Sequence, residues 1–454
     1  MNKAGVMIDS SCSSQSLMAS LAARAAAAER EAAARPAATP ARPRRLLLCL
    51  DGVPFETLAE ARSAGLFDNF RDPARLLSPF PTLTNVALAE MLGATPPPGY
   101  ESLYFDREAK ELRGGVRKYL GRRTPDKVPS SYMDELDYQE PLPFEFLVYV
   151  ATDTVWRADQ RRFRERFLAA DPARDFFGFL KATDGLLHIG GPARLSVALR
   201  SLDRLLRRAQ KEAGSETEIV LFSDHGMNLV ENRRVPLQTH LRRAGYEVAG
   251  DLRRPRGRRR VAAPAFGLCG YAALYCGDET DPGELAGELG DLEGVDFSVH
   301  RDAGAVVVTG ARGRARVERE ARGGAVFYRY ARVDGDPLEL SATVAALAAD
   351  GLLDERGFAP DAEWLARTAA HTYPDAPANI YASLAEPRVG HTADVLVSLR
   401  DGHYYGATAF SRMVRLLATH GNALAPSSNA FLMSTHRDFP AHVRAAEARP
   451  HLRG

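Results

Sequence analysis

The chain is short of cysteine: four in 454 residues. That excludes a disulfide framework and points to a reducing compartment. Cys49 sits in an apolar strand, where a buried thiol is its expected role. Cys269 and Cys276 are spaced so that they could pair across a hairpin, and spacing alone leaves this open. An excess of charge is also missing, with 59 basic against 58 acidic residues. Neither nucleic acid nor an anionic membrane is suggested as a partner. No apolar stretch is long enough to span a bilayer. Nor is there a signal-peptide core, since Leu17 and Met18 stand isolated between Ser and Ala. The expectation is a cytoplasmic protein. Residues 1–44 form an Ala/Arg/Pro-rich tail without the bulky apolar side chains that offset the entropy of ordering, so disorder is expected there.

What remains is 45% hydrophobic, enough for a large core. The most informative stretch is Ser223-Asp224-His225-Gly226-Met227. It follows Glu218-Ile219-Val220-Leu221-Phe222, an apolar run that reads as a buried parallel strand. Adjacent Asp and His at a strand end can both reach one metal ion, and Gly226 frees the backbone to turn beside it. The plain alternative is a pair bonded to a neighbouring loop.

Other stretches fit the same scheme. Leu46-Leu47-Leu48-Cys49-Leu50 reads as a central strand delivering Asp51 to the sheet edge where α/β proteins bind ligands. Asp51 could equally cap the helix expected from Pro54 to about Ala64. Thr84 lies where a loop enters a helix, placing a hydroxyl among free backbone N–H groups that favour an anion. It could attack a phosphoryl group or serve as a simple N-cap. Residues 144–150 read as a strand. Asp184 and His188 stand four apart and can converge on one ion. Gly190-Gly191-Pro192 breaks the chain before a helix with an apolar stripe of Leu195, Leu199, Leu202 and Leu206. His420, followed by Gly421 in a loop, is the foremost of the late histidines, although an exposed loop histidine is the alternative. His391, His403 and His436 are weaker candidates.

Strand and helix alternate from 46 to 244, which predicts a doubly wound, mostly parallel α/β sheet. Short strands with Gly-rich turns then suggest an inserted smaller α+β cap subdomain at 246–390. The expected organisation is a first core part at 45–245, the insertion, and a second core part at 391–454, resuming at Val395. The Arg-rich loop at 253–260 lacks interleaved aromatics, which argues against a nucleic-acid patch.

Taken together, Leu50-Asp51-Gly52, Phe80-Pro81-Thr82-Leu83-Thr84, Asp184-Gly185-Leu186-Leu187-His188, Ser223-Asp224-His225-Gly226-Met227 and Thr419-His420-Gly421 resemble the alkaline phosphatase superfamily. Within it the resemblance is to the type I phosphodiesterase/nucleotide pyrophosphatase branch. It implies an alkaline phosphatase-like fold and a hydrolase of phosphoric esters with a Thr nucleophile, Thr84. It also implies two divalent metal ions, commonly zinc, with manganese suited to the same donors. One ion would be held by Asp51, Asp224, His225 and Thr84, the other by Asp184, His188 and His420. Asn85 follows Thr84 directly, whereas the family commonly has its phosphate-binding Asn after an aromatic-Pro pair. A small-molecule phosphoester is the implied partner. A phosphomonoesterase or phosphonate hydrolase on the same site, or a non-catalytic phosphoester-binding protein, are the competing readings. Because 79–93 and 184–191 contain no Arg or Lys to meet an extra phosphate charge, a diester or phosphoanhydride is the expected substrate.

Overall fold

The strand Arg45–Leu50 is buried along its whole length. It runs parallel to Phe176–Leu180 on one side and Glu218–Ser223 on the other. A strand flanked on both edges and covered on both faces must be apolar throughout, which is why these segments read as unbroken hydrophobic runs. Leu46 and Leu48 turn to one face and pack with Phe163, Leu199 and Leu202. Leu47 and Cys49 turn to the other and pack with Leu88, Met91 and Leu452. The helices Thr152–Ala169 and Ala182–Ala213 cover the first face, and Thr84–Leu92 and Ala448–Arg453 the second.

In this computed structural model, which describes residues 44–115, 128–141, 144–148, 151–254, 259–408 and 415–453, the first sheet has seven strands. In spatial order they are His442–Arg444, Ala74–Leu77, Asn429–Ser434, Glu218–Ser223, Arg45–Leu50, Phe176–Leu180 and Tyr138–Gln139. Only Asn429–Ser434 runs against its neighbours. The predicted α/β class with a mostly parallel sheet is therefore what the chain adopts. The expected tail at 1–44 lies outside the described residues, apart from Arg44.

A second, nine-stranded and largely antiparallel sheet runs from Ala359–Pro360 through Ala325–Gly335, Gly313–Arg322, Ala305–Gly310, Val295–Asp302, Val395–Leu399, Tyr271–Cys276 and Arg260–Ala262 to Glu247–Val248. Here two expectations are corrected. Val395–Leu399 does not resume the first sheet; it pairs with Tyr271–Cys276 and Val295–Asp302. The strand that returns to the first sheet is Asn429–Ser434. An apolar run carries no mark of which sheet it joins. Second, Phe144–Leu147 is a helical turn and not a strand, because a short apolar run has no period by which to tell the two apart. Residues Arg44–Gly454 form one compact unit. Among the described residues no helix is long and apolar enough to cross a membrane.

Cys49, Cys269 and Cys276 are free thiols. Cys269 lies in a separate three-stranded sheet, so the hairpin pairing left open by spacing does not form. Of the Arg-rich loop, residues 255–258 lie outside the described residues. Arg253 pairs with Asp251 and Glu111, and Arg260 with Glu247.

Candidate active site

Asp51 and Asp224 stand one residue beyond two adjacent parallel strands, so the sheet itself sets them side by side. Both carboxylates are fully buried. The Gly52 N–H donates to Asp224 Oδ1 at 3.1 Å, and the Val53 N–H donates to Ser223 Oγ at 2.9 Å. His225 Nε2 lies 3.5 Å from Asp51 Oδ1 and 3.3 Å from Asp224 Oδ2. Asp51 caps nothing: the helix Phe55–Ser63 starts after Pro54 without a side-chain cap.

Asp184 occupies the first turn of Ala182–Ala213 and His188 lies one turn on, with Nε2 3.1 Å from Asp184 Oδ1. His420 Nε2 approaches the same oxygen at 3.5 Å. The His225 and His420 rings stack at 4.0 Å, which joins the two groups into one cleft floor. Asp51, Asp224 and His225 thus form one potential metal-holding group, and Asp184, His188 and His420 a second.

The three histidines share a device. His188 Nδ1–H donates to the Ala418 carbonyl at 2.7 Å, His225 Nδ1–H to Gly226 at 2.8 Å, and His420 Nδ1–H to Thr82 at 2.8 Å. A carbonyl can only accept, so each ring is held with its Nε2 lone pair facing the carboxylates. Second-shell bonds of this kind fix the tautomer a metal needs.

Thr84 is the first residue of the helix Thr84–Leu92, with Leu83 as its N-cap. Its hydroxyl does not cap the helix. It donates to Asp51 Oδ1 at 3.2 Å and lies 3.2 Å from His225 Nε2. Asn85 Oδ1 accepts from the Tyr132 hydroxyl at 2.7 Å, which fixes its amide at the edge of a cleft bounded by Pro97, Glu101 and Tyr104. His391, His403 and His436 lie elsewhere: His391 stacks on Tyr104, His403 accepts from Arg233, and His436 meets Thr435.

The electrostatics are those of a site short of positive charge. Burial first, then Asp224 and Asp184, push the Asp51 carboxyl well above its ordinary range, and only Lys181 opposes them among the charges around it. Burial likewise pushes Asp224 up to about 7, against the bond from Gly52. Burial, then His420, lowers His225 well below its ordinary value. Burial would raise Asp184, but His188 and His420 outweigh it and hold that carboxyl low. Asp51 Oδ2, Asp224 Oδ2 and Asp184 Oδ1 are buried without a hydrogen-bond donor. Orphaned buried carboxylate oxygens beside imidazole Nε2 atoms are what divalent cations would satisfy, so the residues fit metal ions.

The family model for Type I phosphodiesterase / nucleotide pyrophosphatase matches residues 104–293, a span that includes Asp184, His188, Asp224 and His225. Over that span, less than half of its length, the chain is similar to the phosphodiesterase/nucleotide pyrophosphatase family. Among solved structures it is similar to phosphonoacetate hydrolase from Sinorhizobium meliloti 1021 in complex with phosphonoformate, at 14% identity over 91% of this chain and 95% of that one, with a TM-score of 0.47. It is also similar to murine ectonucleotide pyrophosphatase / phosphodiesterase 5, at 12% identity over 90% and 94%, with a TM-score of 0.47. A comparison with curated proteins gives no match.

Sequence reasoning passed over the residues that hold these groups in place. Ser78 Oγ donates to the Asp224 carbonyl, and Thr183 Oγ1 to the Asp51 carbonyl at 2.7 Å. Thr82 Oγ1 accepts from the Gly421 N–H at 2.7 Å. Their only signal was position, each lying within six residues of a candidate ligand.

Proposed function

We propose that this protein is a phosphodiesterase/nucleotide pyrophosphatase-like hydrolase of the alkaline phosphatase superfamily that cleaves phosphoric diesters or phosphoanhydrides, with Thr84 as nucleophile and two divalent ions, zinc by donor type, as cofactors. The observation that carries this reading is the placement of the Thr84 hydroxyl, 3.2 Å from both Asp51 Oδ1 and His225 Nε2. Asp51, Asp224, His225 and Thr84 would hold one ion, and Asp184, His188 and His420 the other. Bound divalent cations would neutralise phosphoryl oxygens and stabilise charge on the attacking and leaving oxygens.

The chain's own residues do the rest. The Thr84 hydroxyl donates its proton toward Asp51 Oδ1, which leaves Asp51 Oδ2 and His225 Nε2 for an ion. As the Oγ–P bond forms, the bond to the leaving oxygen breaks, and water then hydrolyses the phosphothreonine to restore the hydroxyl. The free N–H groups at the start of Thr84–Leu92 favour negative charge on the phosphoryl group. Asn85, held by Tyr132, would offer its amide N–H to a phosphoryl oxygen.

Replacing Thr84 with Ala tests the assignment. The Thr84→Ala protein should fold and keep its metal content, while turnover of bis-nitrophenyl phosphate falls by at least ~100-fold. Metal analysis beside that assay decides the matter, and near-wild-type turnover would remove Thr84 as nucleophile.

A further inference from the structure

The loop ahead of Thr84 is held from a distant part of the chain. The helix Ala376–Ala385 packs against the nine-stranded sheet, yet its Asn379 reaches this loop. Asn379 is only 7% exposed. Its Oδ1 accepts from the Phe80 N–H at 2.7 Å, and its Nδ2 donates to the Ser78 carbonyl at 3.0 Å. One side-chain amide thus plays the part of a neighbouring strand. Arg388 completes the arrangement. Its Nη1 donates to the Phe80 carbonyl and to Asn379 Oδ1, both at 2.9 Å. Its Nε lies 2.9 Å from Glu90 Oε2, in the helix that Thr84 begins.

Behind the loop, Ser78, Pro79, Glu90, Asn379 and Arg388 line an open cleft of about 170 Å³. The loop therefore has space into which it can retreat from Asp51 and His225. On the site side it is held by Thr82, which bonds to Gly421 and Asn422. On the cleft side it is held by Asn379 and Arg388. Side-chain amides and guanidinium groups that meet buried backbone leave it one setting, because any other strands polar groups without partners.

We propose that Asn379 and Arg388 are positioning residues that fix the rotation and depth of the Thr84 helix, and so the reach of the Thr84 hydroxyl. This rests on Thr84 being the attacking group. A shift of ~1 Å in a reacting group can cost ~100-fold in rate without loss of binding.

The test uses the full-length metal-loaded protein with bis-nitrophenyl phosphate and four variants, Thr84→Ala, Asn379→Leu, Asn379→Asp and Arg388→Lys. Asn379→Leu keeps the shape but neither bond. It should lower kcat by ~10- to 100-fold with KM and metal content little changed. Asn379→Asp keeps the acceptor for Phe80 and for Arg388 and should recover most of that loss. Arg388→Lys keeps the charge beside Glu90 but not the forked contact. It should lower kcat in the same manner, and it decides the matter if Asn379→Leu fails to fold. A kcat within twofold of wild type in folded Asn379→Leu or Arg388→Lys overturns the proposal. So does an equal loss in Asn379→Leu and Asn379→Asp. If Thr84→Ala itself turns over normally, the nucleophile assignment falls, and positioning of that hydroxyl falls with it. If only Thr84→Ala is inactive, the nucleophile stands and the positioning role does not.

Discussion

Two kinds of buried carboxyl group in this protein lack a full set of hydrogen-bond donors. Those of the site are arranged beside imidazoles whose Nε2 atoms face them, and a cation can satisfy both. Asp159 is the other kind. It is fully buried with one oxygen, Oδ2, lacking any donor, and Tyr138 donates to the other. Burial first, then the charge of Glu140, raises it well above the ordinary carboxyl range. The folded protein therefore binds this proton more tightly than the unfolded chain does. Stability from Asp159 is fully present below the unfolded carboxyl value and is lost as pH rises toward the folded one. Asn at this position cannot ionise. We expect Asp159→Asn to exceed wild type in denaturant midpoint near neutral pH, with the gap shrinking toward pH ~4. Urea titrations at a series of pH values measure it, and a gap independent of pH would refute the argument. At this scale the sequence was informative about residue types, since Asp and His at strand ends are suited to ligation. It could not separate Thr84 as nucleophile candidate from Thr84 as cap. That depended on Leu83 taking the N-cap position and on Asp51 lying within reach.

Among the elements, the helix Ala182–Ala213 carries the largest departure from regularity. Gly191 has φ 60° and ψ −164°, a conformation that L side chains avoid, and Pro192 follows it. The sequence predicted a break here, and the structure has one: the non-helical Gly191 separates two helical stretches that meet at a kink. The kink has a use. Just before it, the His188 carbonyl accepts from the Leu417 N–H at 2.8 Å, which ties the His188 turn to the chain leading to His420. Gly191→Ala should cost ~1–3 kcal/mol through backbone strain, since a methyl group there meets only Leu417 at 3.5 Å. If strain is relieved by moving the His188 turn, metal affinity at the Asp184 group falls as well. Calorimetric melting with and without added zinc separates the two effects, and an unchanged melting temperature in both would contradict the strain argument.

Over the whole molecule, the nine-stranded sheet reaches as far as the loops of the site. Tyr271 lies against the Gly421 turn and donates to Glu101, while Tyr328 is buried in the core of its own layer. Gly270 N–H donates to the His420 carbonyl at 2.6 Å, and the Ala423 N–H donates to Ser398 Oγ at 3.1 Å. The layer thus braces the loops of the site directly. A cleft lined by Asn85, Pro97, Pro98, Tyr104 and Tyr132 opens at the residue after Thr84, where the second organic group of a diester could lie. A diester presents such a group, and a monoester presents an extra charged oxygen instead. Lys181 is the cation whose charge reaches Asp51. We expect kcat/KM for bis-nitrophenyl phosphate to exceed that for nitrophenyl phosphate at fixed metal and pH. The reverse order would favour a monoesterase or phosphonate hydrolase.

The sequence by itself determined the parallel core and the candidate ligands at its strand ends. Continuous apolar runs can be buried only on two faces, and the polar residues that interrupt them fall at strand termini. Asp51 and the Asp224–His225 pair were legible for that reason. So was the Asp184–His188 pair, because four residues make one helical turn. What only the tertiary structure decided is whatever depends on partners far along the chain: the sheet that Val395–Leu399 joins, the packing of His420 against His225, and the hold of Asn379 and Arg388 on the loop before Thr84. Local periodicity records how a segment is buried. It carries no record of which distant segment buries it, because apolar packing and backbone hydrogen bonds are indifferent to separation in sequence.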